Sequence, residues 1–259
     1  MTIRFSTGTR NGLAGSIGLA GLFNRGYINV YSGTQPTTAD AAVTGTLLGT
    51  MTSSSLALTK ETRATGSVTI TAAAGGSVDT ITVGGLNIIP DGAVSATAGD
   101  ANATAASLAA AINRNGIMEA RVATNVVTLY GRPGTGVTTA AVSGTLTTVT
   151  ATYVAMGSGV AGIAPVNGLI LDAPSLGSIA KSTTQVWSFA GVAAGTAGWF
   201  RFFSSDTADT GAALTAAPWY PRIDGSIATS GADLNLSNIS IAIGAPNTCD
   251  SFVVTFPAS

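Results

Sequence analysis

A chain of 259 residues has room for one large or two modest hydrophobic cores, so its length demands neither disulfides nor metals. Only 9% of the residues are charged, against roughly 25% in ordinary soluble domains, and the net charge is −1. Lys60 and Lys181 are the only lysines, the arginines are scattered, histidine is absent and Cys249 is the single cysteine, which excludes a basic nucleic-acid stripe, an intrachain disulfide, a Cys/His zinc site and a thiol redox pair.

At the N-terminus, Met1-Thr2-Ile3-Arg4-Phe5 lacks the apolar run of a signal peptide, and no later stretch approaches the ~20 apolar residues of a membrane span. Synthesis in a cytoplasm with no membrane partner is the expectation. Residues 9–23 read as a short helix with Leu13, Ile17, Ala20 and Phe23 spaced for one buried face, Thr7 or Thr9 as its cap and Gly26 after its end. Gly12, Gly15, Gly18 and Gly21 recur along it every third residue, and each lowers intrinsic helix stability by about 1 kcal/mol relative to alanine. A glycine face permits close approach of another backbone, either of a neighbouring molecule or, more simply, of the chain's own sheet.

Tyr27-Ile28-Asn29-Val30-Tyr31 alternates as a strand, Ser32-Gly33-Thr34-Gln35-Pro36 opens a loop, and strand character returns over 47–58. Composition shifts near Lys60-Glu61-Thr62-Arg63. Beyond it, 67–71 and 80–83 alternate as strands with Gly75-Gly76 as the turn between them. Residues 104–113 read as a small alanine-rich helix ended by Gly116, 120–123 and 126–130 as a strand pair about Thr124-Asn125, and 137–153 as one or two more strands. After a Gly/Pro linker at 160–167, short strands are expected at 169–171, 184–189, 199–203, 223–228 and 251–256.

Regular short strands with glycine-rich turns define a mainly β fold: a β-sandwich or jelly-roll-like body with a short N-terminal helix and an inserted small α+β domain. The body takes residues 1–62 and 159–259, the insert 63–158, and two independent domains in series are the alternative. An insert at an exposed loop is tolerated because loop-closure entropy grows slowly with length.

No motif in the chain carries chemistry. Asp206 and Asp209, like Asp224 and Asp233, read as solvated loop aspartates rather than a hydrolase or calcium pair. Ala14-Gly15-Ser16-Ile17-Gly18 falls short of a nucleophile elbow, lacking its first glycine and any histidine to activate Ser16. No glycine loop ends in Gly-Lys, so a phosphate-cradling loop is absent. Neither an enzyme nor a bound cofactor is expected, and Cys249 reads as a small buried apolar residue.

Trp199-Phe200-Arg201-Phe202-Phe203 alternates so that Trp199, Arg201 and Phe203 share one side, Phe200 and Phe202 the other. Rings on both sides suggest a strand covered by core on one face and by another domain or subunit on the other; an exposed aromatic platform binding sugar is the alternative. Trp219-Tyr220-Pro221 follows a small-residue run and suits an interface anchor, since Trp and Tyr are enriched at hot spots. The interface set is therefore Gly12, Gly15, Gly18, Gly21, Phe23, Trp199, Trp219 and Tyr220.

Two blocks carry a family resemblance. One runs Ile28-Asn29-Val30-Tyr31-Ser32-Gly33-Thr34-Gln35-Pro36, continuing through Ala39-Asp40-Ala41-Ala42 to Gly45-Thr46-Leu47-Leu48. The other is Gly195-Thr196-Ala197-Gly198-Trp199-Phe200-Arg201 with Pro221-Arg222-Ile223-Asp224-Gly225 and Ser230-Gly231-Ala232-Asp233-Leu234-Asn235-Leu236. Together they resemble structural proteins of tailed-bacteriophage virions. The resemblance implies a non-enzymatic particle component, with a capsid decoration (cement) protein as the first expectation, a neck, collar or tail component as the second, and a carbohydrate-binding host-contact module as the third. It further implies residence in the virion after synthesis in the host bacterial cytoplasm. Its partners would be the major capsid protein or neck and tail proteins, together with further copies in a homo-oligomer. A surface of hydroxyls and methyls suits such an assembly, because little charge repulsion keeps copies apart.

Overall fold

The computed structural model describes residues 3–15, 17–135, 139–214 and 220–256. In chain order they form β1 (Arg4–Phe5), α1 (Thr7–Ala14), α2 (Leu19–Phe23), β2 (Tyr27–Ser32), β3 (Leu47–Ser53), β4 (Thr65–Val83), β5 (Leu86–Asn87), β6 (Val94–Ser95) and α3 (Ala101–Asn115). There follow β7 (Glu119–Ala123), β8 (Val126–Tyr130), β9 (Val142–Val154), β10 (Ser178–Ala180), β11 (Trp187–Ala190), β12 (Gly195–Phe203), β13 (Arg222–Ala228), β14 (Leu234–Leu236), β15 (Ser240–Ile241) and β16 (Pro246–Thr255). The fold is mainly β. Met1–Ala14, Gly18–Lys60 and Pro165–Ser259 form one compact unit, the body, while Gly15–Ile17 and Glu61–Ala164 form a second.

In the body, β13, β14, β16, β11, β3, β2 and β12 pair in that order, and β12 pairs back onto β13, so the ring closes into a barrel-like sheet. Most of its ladders are antiparallel; β13 and β14 run parallel. Rings fill its interior: Trp187 and Phe252 lie 5.5 Å apart, Phe200 and Phe202 each lie 5.7 Å from Phe252, and Phe23 reaches Phe202 at 4.9 Å. The contacts of Phe200 and Phe202 with Phe252 join β12 to β16, which are not neighbours in the ring, so they cross its inside. Gly225 makes room for this packing, since a Cβ there would sit 2.5 Å from the Phe200 ring.

The expected single helix over 9–23 is instead two short helices, α1 and α2, separated by the glycine-bearing segment around Gly15 and Gly18. Four glycines in one short run leave too little intrinsic stability to carry a single helix across it. The cap also differs from the expected threonines, for Ser6 Oγ accepts from the Thr9 N–H at 3.2 Å.

The second unit is a sheet in the order β5-β4-β8-β7, with β6 and β9 also paired to β4. α3 packs on β4, β6, β7 and β8, burying Ala105, Leu108 and Ile112 against Val68, Ile70, Ile81 and Val127. Its start is capped by Asp100, whose side chain accepts from Ala103 N–H at 2.9 Å, and its end by Gly116 in the left-handed conformation with its N–H on Ile112 O. The β7–β8 hairpin turns at Thr124-Asn125, with Ala123 opposite Val126.

Gly75-Gly76 departs from expectation. The stretches on either side of it belong to one 19-residue strand, β4, that pairs along its length with the distant β9. Ala73 faces Val149 and Ser77 faces Thr147, so the glycines form a bulge, with φ of +94° and +79°, opposite Thr148. A Cβ on Gly76 would lie 2.2 Å from Thr147 O, which is why the bulge needs glycine. The actual tight turn of this region is Gly84-Gly85, both at positive φ, joining β4 to β5 where Val83 faces Leu86.

Candidate functional site

The body's outward face over β2, β12 and β13 concentrates most of its unusual chemistry. Cross-strand pairing sets the rows: Tyr31 beside Trp199, Asn29 beside Arg201 beside Asp224, and Tyr27 beside Phe203 beside Arg222. Tyr31 stacks on Trp199 at 4.5 Å and Tyr27 on Phe203 at 5.0 Å. Between these aromatic rows, Arg201 and Asp224 make a two-pronged ion pair, Nε to Oδ1 and Nη2 to Oδ2, both 2.7 Å, with neither side chain exposed.

Two of the chain's own loops close over this layer. Arg201 Nη1 donates to Ala41 O at 3.1 Å and Trp199 Nε1 to Thr44 O at 3.2 Å, while Arg4 holds the carbonyl of Pro36. The second loop is held through Asp209, which accepts from the Tyr31 hydroxyl and from Asn29 Nδ2 at 2.7 Å, and Tyr27 donates to Thr207 O at 2.9 Å. The loops also hold each other, Val43 N–H on Gly211 O at 3.0 Å and Leu214 N–H on Asp40 O at 2.7 Å. Asp40 in turn accepts from the Thr7 N–H and hydroxyl at the start of α1.

Burial governs the ionisation of this layer. Desolvation pushes the Tyr27 and Tyr31 phenols up, so both stay protonated donors at neutral pH. Desolvation also raises the Asp224 carboxyl above the usual carboxylate value, against the opposing hydrogen bonds and charge of Arg201. Burial, with Arg201 close by, lowers the Arg222 guanidinium. Cys249 is buried on β16 and its thiol is pushed up to about 12 by desolvation, which makes it a poor nucleophile.

The aspartates expected in solvent are instead in use. Asp224 is wholly buried because its strand places it directly opposite Arg201 beneath the loops, and Asp233 accepts from Ser226 N–H and Oγ, both at 2.8 Å. Asp206 accepts from the Ser204 hydroxyl beside it in the loop. Each of these carboxylates holds its own chain in place. Among the described residues no three His, Cys, Asp or Glu cluster as a metal site, and no helix is long and apolar enough to cross a membrane. A hollow in the second unit lined by Val83, Leu86, Ile88, Ile117 and Met118 measures about 200 Å³, below the roughly 300–1,000 Å³ of a typical small-molecule pocket.

The expected interface residues scatter. Trp199 and Phe23 are fully buried in the body and present no side chain to a partner. For Trp199 this corrects the expectation of a covering subunit, since the chain's own loops supply the cover. Gly12 lies against the Leu22 side chain, where a Cβ would come within 2.6 Å, so it serves packing of α1 on α2. Gly15 falls in the turn after α1, Gly18 begins α2 with open space around it, and Gly21 is half-buried. Trp219 lies outside the described residues. Tyr220 is 41% exposed, and its carbonyl accepts from Ser6 Oγ at 3.0 Å. The helical glycine in closest backbone contact is Gly8, where a Cβ would sit 2.6 Å from the Tyr220 backbone. Sequence reading missed it because it precedes the expected helix; its place four residues before Gly12 was the available signal.

No protein-family model, curated protein or solved structure matches the chain.

Proposed function

We propose that the chain is a non-enzymatic structural component of a tailed-bacteriophage particle, and that it sits on the outside of the head as a capsid decoration protein. The observation that carries this reading is the inward use of charge. The arginines and aspartates of the body's polar layer fasten its own loops, which leaves a surface rich in neutral hydroxyls and methyls that neighbours can cover with little desolvation penalty. In this reading the partners are the major capsid protein and further copies of the chain, with no role for nucleic acid or membrane. The virion is its residence and the host bacterial cytoplasm its place of synthesis.

Quantifying the chain in purified particles against the major capsid protein tests the proposal. Near-stoichiometric copy number is the expected result. A few copies per particle would move the chain to the neck, collar or tail, and absence from particles would overturn the reading altogether.

A further inference from the structure

β9 is a 13-residue strand, Val142–Val154, with no Asp, Glu, Lys, Arg or Pro. Among the described residues it pairs with β4 alone, so the main-chain donors and acceptors along its other edge have no ladder partner. α3 covers β4, β6, β7 and β8 rather than β9. The opposite edge of the same sheet is guarded differently: β7 is only 5 residues long and carries Glu119 and Arg121, ion-paired at 2.6 Å. Short length and charge are two of the usual protections of a sheet edge, and β9 has neither, its ladder being interrupted only by the bulges it shares with β4.

Among the described residues the body offers no comparable edge. Its main strands close into a ring, and the strands hung on that ring, β1, β10 and β15, are 2, 3 and 2 residues long. The chemistry along β9 is also self-matching. Across the β4–β9 ladder, Thr80 and Thr145 share a hydrogen bond of 2.6 Å, Thr82 and Ser143 one of 2.8 Å, and Thr71 and Thr150 one of 3.0 Å. A second β9 laid alongside would meet the same row of hydroxyls and no like charge.

We infer that β9 is a homotypic docking edge, at which the β9 strands of two copies of this chain pair antiparallel about a two-fold axis. The axis makes the contact isologous, and backbone hydrogen bonds supply the attraction that a surface with so little charge lacks. The left-handed Thr148, φ +53°, divides the edge into two legs, 142–147 and 149–154. Pairing along either leg satisfies the inference. The inference extends the reading of the chain as an assembly component, but it concerns free protein, so its failure is distinct from absence of the chain from particles.

The test uses the full chain. Sedimentation and amide hydrogen exchange are followed over a range of protein concentration, for wild type and for Thr145→Lys and Thr152→Lys, which place one charge in each leg. A dimer whose formation protects β9 amides and leaves β7 amides unchanged is expected, as is at least about tenfold weaker dimerisation for the lysine in the pairing leg, with α3 amides protected as in wild type. Wild-type protein that stays monomeric, association without added protection in β9, or undiminished association of both lysine variants would each overturn it. Should a lysine loosen α3, the wild-type exchange pattern decides alone.

Discussion

The body and the second unit share one composition and arrange it in different ways. In the body, stacked and edge-on rings fill a closed ring of strands, and the charged side chains Arg201 and Asp224 lie outside that ring under the chain's own loops. The second unit packs aliphatic and small residues about α3, among them Val68, Ile70, Ile81, Leu108, Ile112 and Val127, keeps one nearly buried ion pair of its own, Arg63 with Glu119, and its sheet is open. Among the described residues closure gives each main strand of the body a partner on both sides, so its polar side chains can be committed to fastening loops. The open sheet leaves a neutral edge instead. Sparse charge thus has two outcomes in one chain, an internal fastener and an unguarded edge.

The largest test of this contrast is removal of residues 66–157 with the ends joined by a short linker. The body should remain folded and keep a near-ultraviolet circular dichroism signal, because the ring–ring contacts of the described residues all lie in it. A molten body would show that its closed ring depends on the second unit.

Asp224→Ala comes next. Taking away one partner leaves Arg201 charged and buried, which should lower stability by about 3–5 kcal/mol in urea unfolding followed by tryptophan fluorescence. A loss below about 1 kcal/mol would place this pair with exposed ones and undo the fastener account.

In the second unit, Leu108→Ala removes a side chain with 0% exposure from the aliphatic core, at a cost of about 2–5 kcal/mol. Amide exchange should quicken across α3 and β4 while β12 and β13 keep their protection. Equal loosening of both sets would make the two units one cooperative block. The smallest effect is expected at Asp100→Ala, where loss of the α3 cap should cost about 1 kcal/mol by the same exchange measurement, with Asp100→Asn restoring most of it.

Much of the local structure was legible because it is written in neighbouring residues. Alternation placed the strand at Tyr27 to Tyr31 and the one at Trp199 to Phe203, Thr124-Asn125 marked a real hairpin, and Gly116 marked the end of α3. The interface set fared differently: Trp199 has the hot-spot residue type but is buried, and residue type alone does not report cover.

By itself the sequence determined that the chain is mainly β, where most strands lie, and how sparse its charge is, since periodicity, glycine placement and composition are properties of short stretches or of the whole count. Only tertiary structure decided whether Gly75-Gly76 turns the chain or bulges it, because positive φ at two glycines serves both and the choice belonged to β9, a partner about 70 residues away. The same holds for Asp224, which is an ordinary loop aspartate until the β12–β13 register sets Arg201 opposite it and the loop bearing Ala41 closes above. Local dihedral preferences are fixed residue by residue, whereas strand partners are selected by free energy among distant segments, and burial follows from that selection.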